Sequence, residues 1–571
     1  MNKQTKNYLV FGTIAFVMAV AVFFGINATK NLGKSTKQVN TEDARGTLDK
    51  LYTKLGEIEH APSVSSPIDL MTEQDIASEL PELTDKMATT IGRGQVNVTV
   101  FASPEKAGTG HDAWMAEMAE RFNREKVQVD GQTASVTVYN ITSGLGLDYI
   151  TSGKETPTLY SPSSDYWGRM ATAKGVSLET LEESVAGNVA GIVIKNEKYD
   201  EISKEYGTVT VQTVCQAIID KKLIFGYTTP NTSSAGLNWI TDTLHSFDAK
   251  DPLSQDAITG FQSFQQNIPF VAQTTMQMQK AAEKGSLDAF VYESQVWENS
   301  PDMQRTYKFV PYGIRHDNPV YLTEAATESQ QEVAKLFMDY CKSDDAVKLA
   351  TKYGFNSMNG YSPEFTDFDG QTLLSAQKMW KENKDSGKTI IAVFVADVSG
   401  SMKGDAINNL KDSLTNGMQY INEDNYVGLV TYSTDPVINC DVGKFDLNQK
   451  ALFKGAVENI SASGSTGTCN GLVVGLKLLV DKKFELVESG MSESEIEPML
   501  FLLSDGDSDH GYGFRDVEGV LRTLGIPVYT INYNEGSALM NNLSEVNEAA
   551  TINATSDDVV YKIRNLFNSN L

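Results

Sequence analysis

Residues 389–402 read TIIAVFVADVSGSM, an unbroken apolar run that stops on an aspartate and two serines. Such a run fits a strand buried on both faces, the kind found inside parallel sheets. Past Asp397 the pattern becomes Asp-x-Ser-x-Ser, and a helix follows with Ile407, Leu410, Leu414, Met418 and Ile421 spaced by three and four. Downstream, VGLVTY (427–432), PVINC (436–440), PMLFLLS (498–504) and IPVYTINY (526–533) read as strands. Segments 449–460, 471–480 and 514–524 read as helices between them. The expected fold of residues 387–571 is α/β with a mainly parallel sheet.

Two further polar segments belong to the same edge of that sheet. Gly464-Ser465-Thr466-Gly467 precedes a helix, and Ser504-Asp505-Gly506 follows the central strand. Ligands gather at the carboxyl ends of strands in open α/β sheets, so these segments are expected to meet Asp397, Ser399 and Ser401. Together they offer hydroxyl and carboxylate oxygens, all hard donors. That set suits an octahedral Mg²⁺ that keeps water ligands and excludes a soft metal.

DVSGSM (397–402), TGTCNGL (466–472) and LLSDG (502–506), in that order, resemble the von Willebrand factor type A (VWA) domain with its metal-ion-dependent adhesion site. The resemblance implies direct coordination by Ser399 and Ser401, and coordination by Thr466 directly or through water. Asp397 and Asp505 would act mainly through water, around Mg²⁺ or, in its place, Mn²⁺ or Ca²⁺. It leaves one position for a carboxylate from a protein partner, toward which a cation with few direct protein charges stays electrophilic.

Several neighbouring patterns imitate other sites. Asp505-Gly-Asp507-Ser-Asp509-His510-Gly511 opens like a calcium loop, but His510 stands where an EF-hand needs Gly and Asp516 where it needs Glu. Asp507 and Asp509 are therefore read as solvated loop carboxylates. SGSTGTCNG lacks the Lys of a phosphate-binding loop. Neither His111 nor His510 goes with a Ser or Cys in a nucleophile elbow, so no enzymatic activity is expected. Cys215, Cys341, Cys440 and Cys469 are too few for a disulfide scaffold, although an outside location permits two bridges. The apolar helical setting of Cys215 and Cys341 suits buried free thiols, and the strand of Cys440 runs away from Cys469.

Upstream, residues 93–375 alternate strand-like runs (SVTVY 135–139, GIVI 191–194, LIFGY 223–227, AFVY 289–292) with helical segments, at a length suited to two α/β lobes. VFASPEK (100–106), SGLGLDYI (143–150), SPSSDYW (161–167), GNVAGIVI (187–194), GYTTPNTSSAGLNWI (226–240), VYESQ (291–295) and YGFN (353–356) resemble bacterial extracellular solute-binding proteins, periplasmic-binding-protein-like in fold, of the kind serving transporters for small anions. Ser103, Ser143, Ser163, Ser164, Thr232, Ser233 and Ser234 stand where helices are expected to begin. Free N–H groups and the helix dipole there suit an anionic solute; plain helix capping accounts for the same residues equally well. Glu293 with Tyr292 and Trp297 is a second candidate lining, although aromatics at a strand end also suit a core.

The first residues differ in texture. Tyr8–Ile26 is an uncharged run of transmembrane length behind Lys3 and Lys6. The reading is a cytoplasmic tail (1–7) and an uncleaved transmembrane anchor (8–26), with a removed signal peptide as the alternative. Residues 29–92 are read as a stalk containing one helical stretch, with Leu48, Leu51, Leu55 and Ile58 at helical spacing. In 571 residues the formal charge is −26, which disfavours nucleic acid as a partner.

The expectation is a single-pass protein of the cell membrane with its bulk outside, binding a protein through the metal and sensing or holding a solute in the middle domain. The alternative is a transport receptor with the VWA domain as docking module. A chelatase-like partner of an ATPase inside the cell is the third possibility.

Overall fold

The computed structural model describes residues 41–68, 76–269, 271–273, 275–283, 285–363, 368–506, 508–533, 537–547, 551–553 and 558–571. The tail and anchor expected over 1–26 lie outside the described residues. Among those described, no helix is long and apolar enough to cross a membrane.

The expected stalk is instead folded against the rest of the chain. Helix α1 (Thr41–Lys54) buries Leu48 completely in the C-terminal domain, with Leu51, Leu55 and Ile58 packed beside it. The Arg45 guanidinium lies 4.0 Å from the Phe484 ring centre, and Lys477 pairs with Asp49 at 3.0 Å. The two-residue strand β1 (Glu59–His60) then adds in parallel to the C-terminal sheet, opposite Val437 and Ile438. Beyond it the chain passes over Gly455, where a Cβ would stand 2.1 Å from the Val64 carbonyl oxygen. The apolar stripe at spacing three and four is thus a docking face.

The middle domain has two lobes. Among the described residues the first lobe's sheet runs in the spatial order 88–90, 132–140, 96–102, 159–161, 320–323 and 178–182, with strand 128–129 paired beside 132–140. The second runs 271–272, 225–228, 289–293, 189–195 and 307–315. Both are mixed. Strand 96–102 is parallel to its two neighbours, whereas 289–293 and 307–315 both run antiparallel to 189–195. Helix α2 (Ser143–Ser152) belongs to the first lobe and α3 (Ser234–Phe247) to the second. Helix α4 (Gly370–Asn383) carries the middle domain past residue 375. Its Leu373 enters one lobe's core, while Ala376, Met379 and Trp380 enter the other's.

The C-terminal sheet contains β2 (Thr389–Asp397), β3 (Tyr426–Tyr432), β4 (Pro436–Lys444), β5 (Ile496–Ser504), β6 (Val528–Asn532) and β7 (Thr551–Asn553). Among the described residues its order is β1-β4-β3-β2-β5-β6-β7, and only the β3–β4 pair is antiparallel. Along β2, Ala392, Phe394 and Ala396 enter the core on one face, while Ile391, Val393 and Val395 enter the core on the other. Burial on both sides explains the uninterrupted apolar run. Helices α5 (Asp405–Gly417) and α8 (Val559–Asn570) cover the first face; α6 (Thr468–Glu488), α7 (Phe514–Leu524) and α1 cover the second.

Candidate functional site

The edge at the carboxyl ends of β2 and β5 brings the two central loops into contact. The Ser401 hydroxyl lies 3.0 Å from that of Ser399 and donates to Asp505 Oδ1 at 2.9 Å, across 104 residues of sequence. Asp397 accepts from the Ser399 amide at 2.8 Å through Oδ1 and from the Ser504 hydroxyl at 2.7 Å through Oδ2. The third loop is laid against the first by its backbone: Gly400 N donates to Gly464 O at 2.9 Å, and Ser463 N to Val398 O at 2.7 Å. Gly464 has φ +84°, a conformation that side chains disfavour.

Thr466 follows on this loop, and its backbone is held by a residue the sequence reading treated as merely solvated. Its amide donates to Asp509 Oδ1 at 2.7 Å, and its carbonyl accepts from the Asp509 amide and the Ser508 hydroxyl. Asp509 is therefore a loop clamp, although its side of the turn is exposed. Asp507 lies outside the described residues. Ser508 is a further site residue that the sequence does not single out, and Ser504, expected at this edge, gains its role only from its hydrogen bond to Asp397.

Burial gives the site its electrostatics. Asp397 is fully buried, Ser399 and Asp505 nearly so, and Ser401 is exposed, so the polar cluster opens outward. Burial pushes the Asp397 carboxyl above the usual carboxylate range. The Ser399 and Ser504 hydrogen bonds offset part of this, and the neighbouring Asp505 charge adds to it. Among the described residues no cationic side chain pairs with Asp397. Among the described residues the buried Tyr533 hydroxyl has no hydrogen-bond partner, and the charges of both Asp397 and Asp505 reach it. Two close carboxylates with hydroxyls in front of them make a negative, oxygen-lined edge.

Among the described residues no three His, Cys, Asp or Glu side chains gather into a metal-binding cluster. The donors at this edge are hydroxyls with two carboxylates. All four cysteines are buried and free, with burial raising the Cys215 and Cys469 thiols to about 12.

A second site lies between the lobes. A cleft of about 210 Å³ is lined by Ser103, Ser143, Ser163, Thr232, Ser233 and Ser234. Of the expected set only Ser164 is missing from the lining; it stands at the N-cap of the helix Asp165–Ala173 with its hydroxyl buried. Ser163 and Ser234 hydrogen-bond to each other across the cleft, Ser143 lies 3.2 Å from Ser163, and Trp167 donates to Ser234 at 2.7 Å. The first turns of α2 and α3 both reach this cleft.

Glu105, Asp112, Gln273, Thr275 and Glu293 line it as well. Apart from Glu293 these escaped the sequence reading, because nothing in their local pattern separates them from surface residues. Each carboxylate is backed by a buried group. Lys106, fully buried, lies 3.3 Å from Glu105, and burial lowers its pKa. His316, fully buried, lies 3.0 Å from Glu293, and Gln295 donates to Asp112 at 3.0 Å. Tyr292 is a core residue, and Trp297 packs against Phe309.

Comparison with known proteins agrees with this division. Residues 99–356 match the family model described as bacterial extracellular solute-binding protein, and residues 392–568 match that of the von Willebrand factor type A domain. The chain thus joins a solute-binding domain of the bacterial extracellular type to a VWA domain. Inter-alpha-trypsin inhibitor heavy chain H3 of Mus musculus is 30% identical over 147 residues, 25% of this chain and 16% of that protein. This chain therefore spans under a fifth of that relative's length. Among solved structures, iron-bound HitA from Pseudomonas aeruginosa is similar at 13% identity and TM-score 0.38, over 51% of this chain and 99% of its own. A von Willebrand factor type A protein from Catenulispora acidiphila is similar at 14% identity and TM-score 0.27, over 32% and 42%.

Proposed function

We propose that this chain is a membrane-anchored surface protein that binds a protein partner through a divalent cation at the VWA edge. The observation that carries the reading is the Ser399–Ser401–Asp505 contact beside buried Asp397, which joins hard donors from two distant loops. Ser399, Ser401, Thr466, Asp397 and Asp505 would hold Mg²⁺, or Mn²⁺ or Ca²⁺ in its place, as an adhesion site dependent on the ion. A bound cation supplies a Lewis-acidic point that an Asp or Glu of the partner can reach. It would also neutralise two buried-edge carboxylates, which is the physical reason for the ion to bind. Both domain types are in general binding or adhesion modules, and the reading assigns no catalytic step to either.

The test is Mg²⁺ or Mn²⁺ titration of the full-length protein, followed by calorimetry and by thermal unfolding. A site of this kind stabilises the folded chain by about 2.7 kcal/mol when the free ion stands at a hundred times Kd, and so raises the unfolding midpoint with cation concentration. Ser399→Ala and Asp505→Ala remove that rise. If both variants respond to the ion as the parent does, the site is elsewhere.

The inter-lobe cleft favours a second role, the capture of a small solute, and with it the alternative of a transport receptor. The α2 and α3 N-termini suit an anionic group. Glu105, Asp112 and Glu293 face the same space, so a solute bearing a positive group beside its anionic one fits better than a bare anion. Thermal shift of the full-length protein against sulfate, putrescine and a set of α-amino acids separates these classes. Silence from all of them favours the adhesion role alone.

A further inference from the structure

Helix α8 is built into the VWA core and into the middle domain at once. Val559, Ile563, Leu566 and Phe567 enter the core on one face of the VWA sheet, whereas Tyr561 enters the core of the first lobe beside Ile141, Leu145 and Tyr149. Arg564 on the same helix, seven-eighths buried as a side chain, binds Asp148 of α2 at 3.1 Å and lies 3.6 Å from Glu79. Asp148 stands just over one turn beyond Ser143, a residue of the cleft lining.

The second lobe holds the far end of α8. Gln273, another cleft residue, donates to the Ser569 hydroxyl at 3.1 Å. Lys381 of the lobe-bridging helix α4 donates to the Asn568 carbonyl at 3.2 Å and to the Tyr420 carbonyl at 2.6 Å. A relative movement of the lobes therefore cannot leave both ends of α8 in place. Either the helix moves or one set of buried polar contacts is lost, and leaving such groups unpaired is costly.

On its other side α8 packs closely against α5. A Cβ on Gly417 would stand 2.4 Å from the Phe567 ring, so the two helices have no slack between them. Helix α5 begins four residues after Ser401, and the intervening Met402 is buried in the core that receives α8. Cleft and metal edge are thus joined through α2, α8 and α5: α8 packs closely on α5 and meets α2 through Tyr561 and the Arg564–Asp148 pair.

We propose that closure of the two lobes around a solute changes the cation affinity of the VWA edge, with α8 as the element that both sites bias. The proposal rests on the solute-binding and metal-binding readings above and adds a reciprocal coupling between them. It makes the protein a solute-gated binder, in which adhesion strength reports the state of the cleft.

The experiment pins the lobes without needing the solute. Ser163→Cys with Ser234→Cys places two thiols where the serine hydroxyls now touch across the cleft, and oxidation locks the lobes with these two positions in contact. Mn²⁺ binding to the full-length double variant is measured by calorimetry, oxidised and then reduced. The expected result is a change in Kd of about fivefold or more between the two states, within the usual range for coupled sites. Adding Asp148→Asn, which removes the charge that pairs Arg564 with α2, brings the ratio toward one while Mn²⁺ still binds. Equal Kd in the oxidised and reduced protein overturns the coupling and leaves the metal reading intact. No Mn²⁺ binding in either state overturns the metal reading and the coupling with it.

Discussion

His316 shows how a single residue ties the cleft to stability. It is fully buried with Nδ1 3.0 Å from Glu293 and Nε2 against Asn238. Burial alone would lower its proton affinity, but the Glu293 charge and hydrogen bond outweigh it, with smaller help from Glu105 and Asp317. The folded pKa lies above the ordinary 6.5. The folded chain therefore holds this proton more tightly than the unfolded one, and the added stability is full below pH 6.5. It is lost as pH rises through the higher folded value. The unfolding midpoint should fall as pH is raised from 6 toward 8, and His316→Gln should flatten that slope. An unchanged slope in the variant would assign the effect to other groups. At the same scale, the hydroxyls and carboxylates of the metal edge were legible in the sequence because their spacing is local. Asp509 and Asp112 were not, since their roles arise from contacts across tens to hundreds of residues, and Glu105 was not, since only the fold brings it to the cleft.

At the scale of elements, the strands and helices of the VWA domain could be placed from apolar runs and periodicity, with helix 471–480 extending in both directions to Thr468–Glu488. The stretch before the middle domain was the failure. A stripe of Leu48, Leu51, Leu55 and Ile58 shows that a helix has a partner but does not say which one. The partner here lies more than 400 residues away, on α6 and α7. Leu48→Ala should destabilise the VWA domain by about 3 kcal/mol, the usual cost of emptying a sealed leucine site, as measured by denaturant unfolding. A loss below about 0.5 kcal/mol would show that α1 is dispensable. Gly417→Ala should also destabilise, by about 1–3 kcal/mol, because the added methyl meets the Phe567 ring.

The whole molecule is a solute-binding domain followed by a VWA domain, with a helix and a short strand from upstream of both packed on the VWA sheet. That arrangement brings both ends of the middle domain and the helix α8 to one junction, where Glu79, Asp148, Arg564 and Tyr420 meet. The two domains follow in series, as the sequence order indicates; the return of residues 41–60 to the C-terminal sheet is a consequence of edge pairing and packing, which no local pattern records. Lys381 contributes to the junction as a buried amine whose proton affinity burial strongly lowers, with its hydrogens given to two backbone carbonyls. Lys381→Met keeps the apolar stem and removes those bonds. It should lower the unfolding midpoint of the full chain by several degrees, the effect of about 1–2 kcal/mol in a domain of this size. A midpoint equal to the parent's would show that the junction does not depend on them.

The account turns on whether the VWA edge takes a divalent ion. Calorimetric titration of the full-length protein with Mg²⁺ addresses this most directly, beside Ser399→Ala. The predicted result is one saturable site per chain in the parent and none in the variant. Equal heats in both proteins, or no saturable binding in the parent, would contradict it.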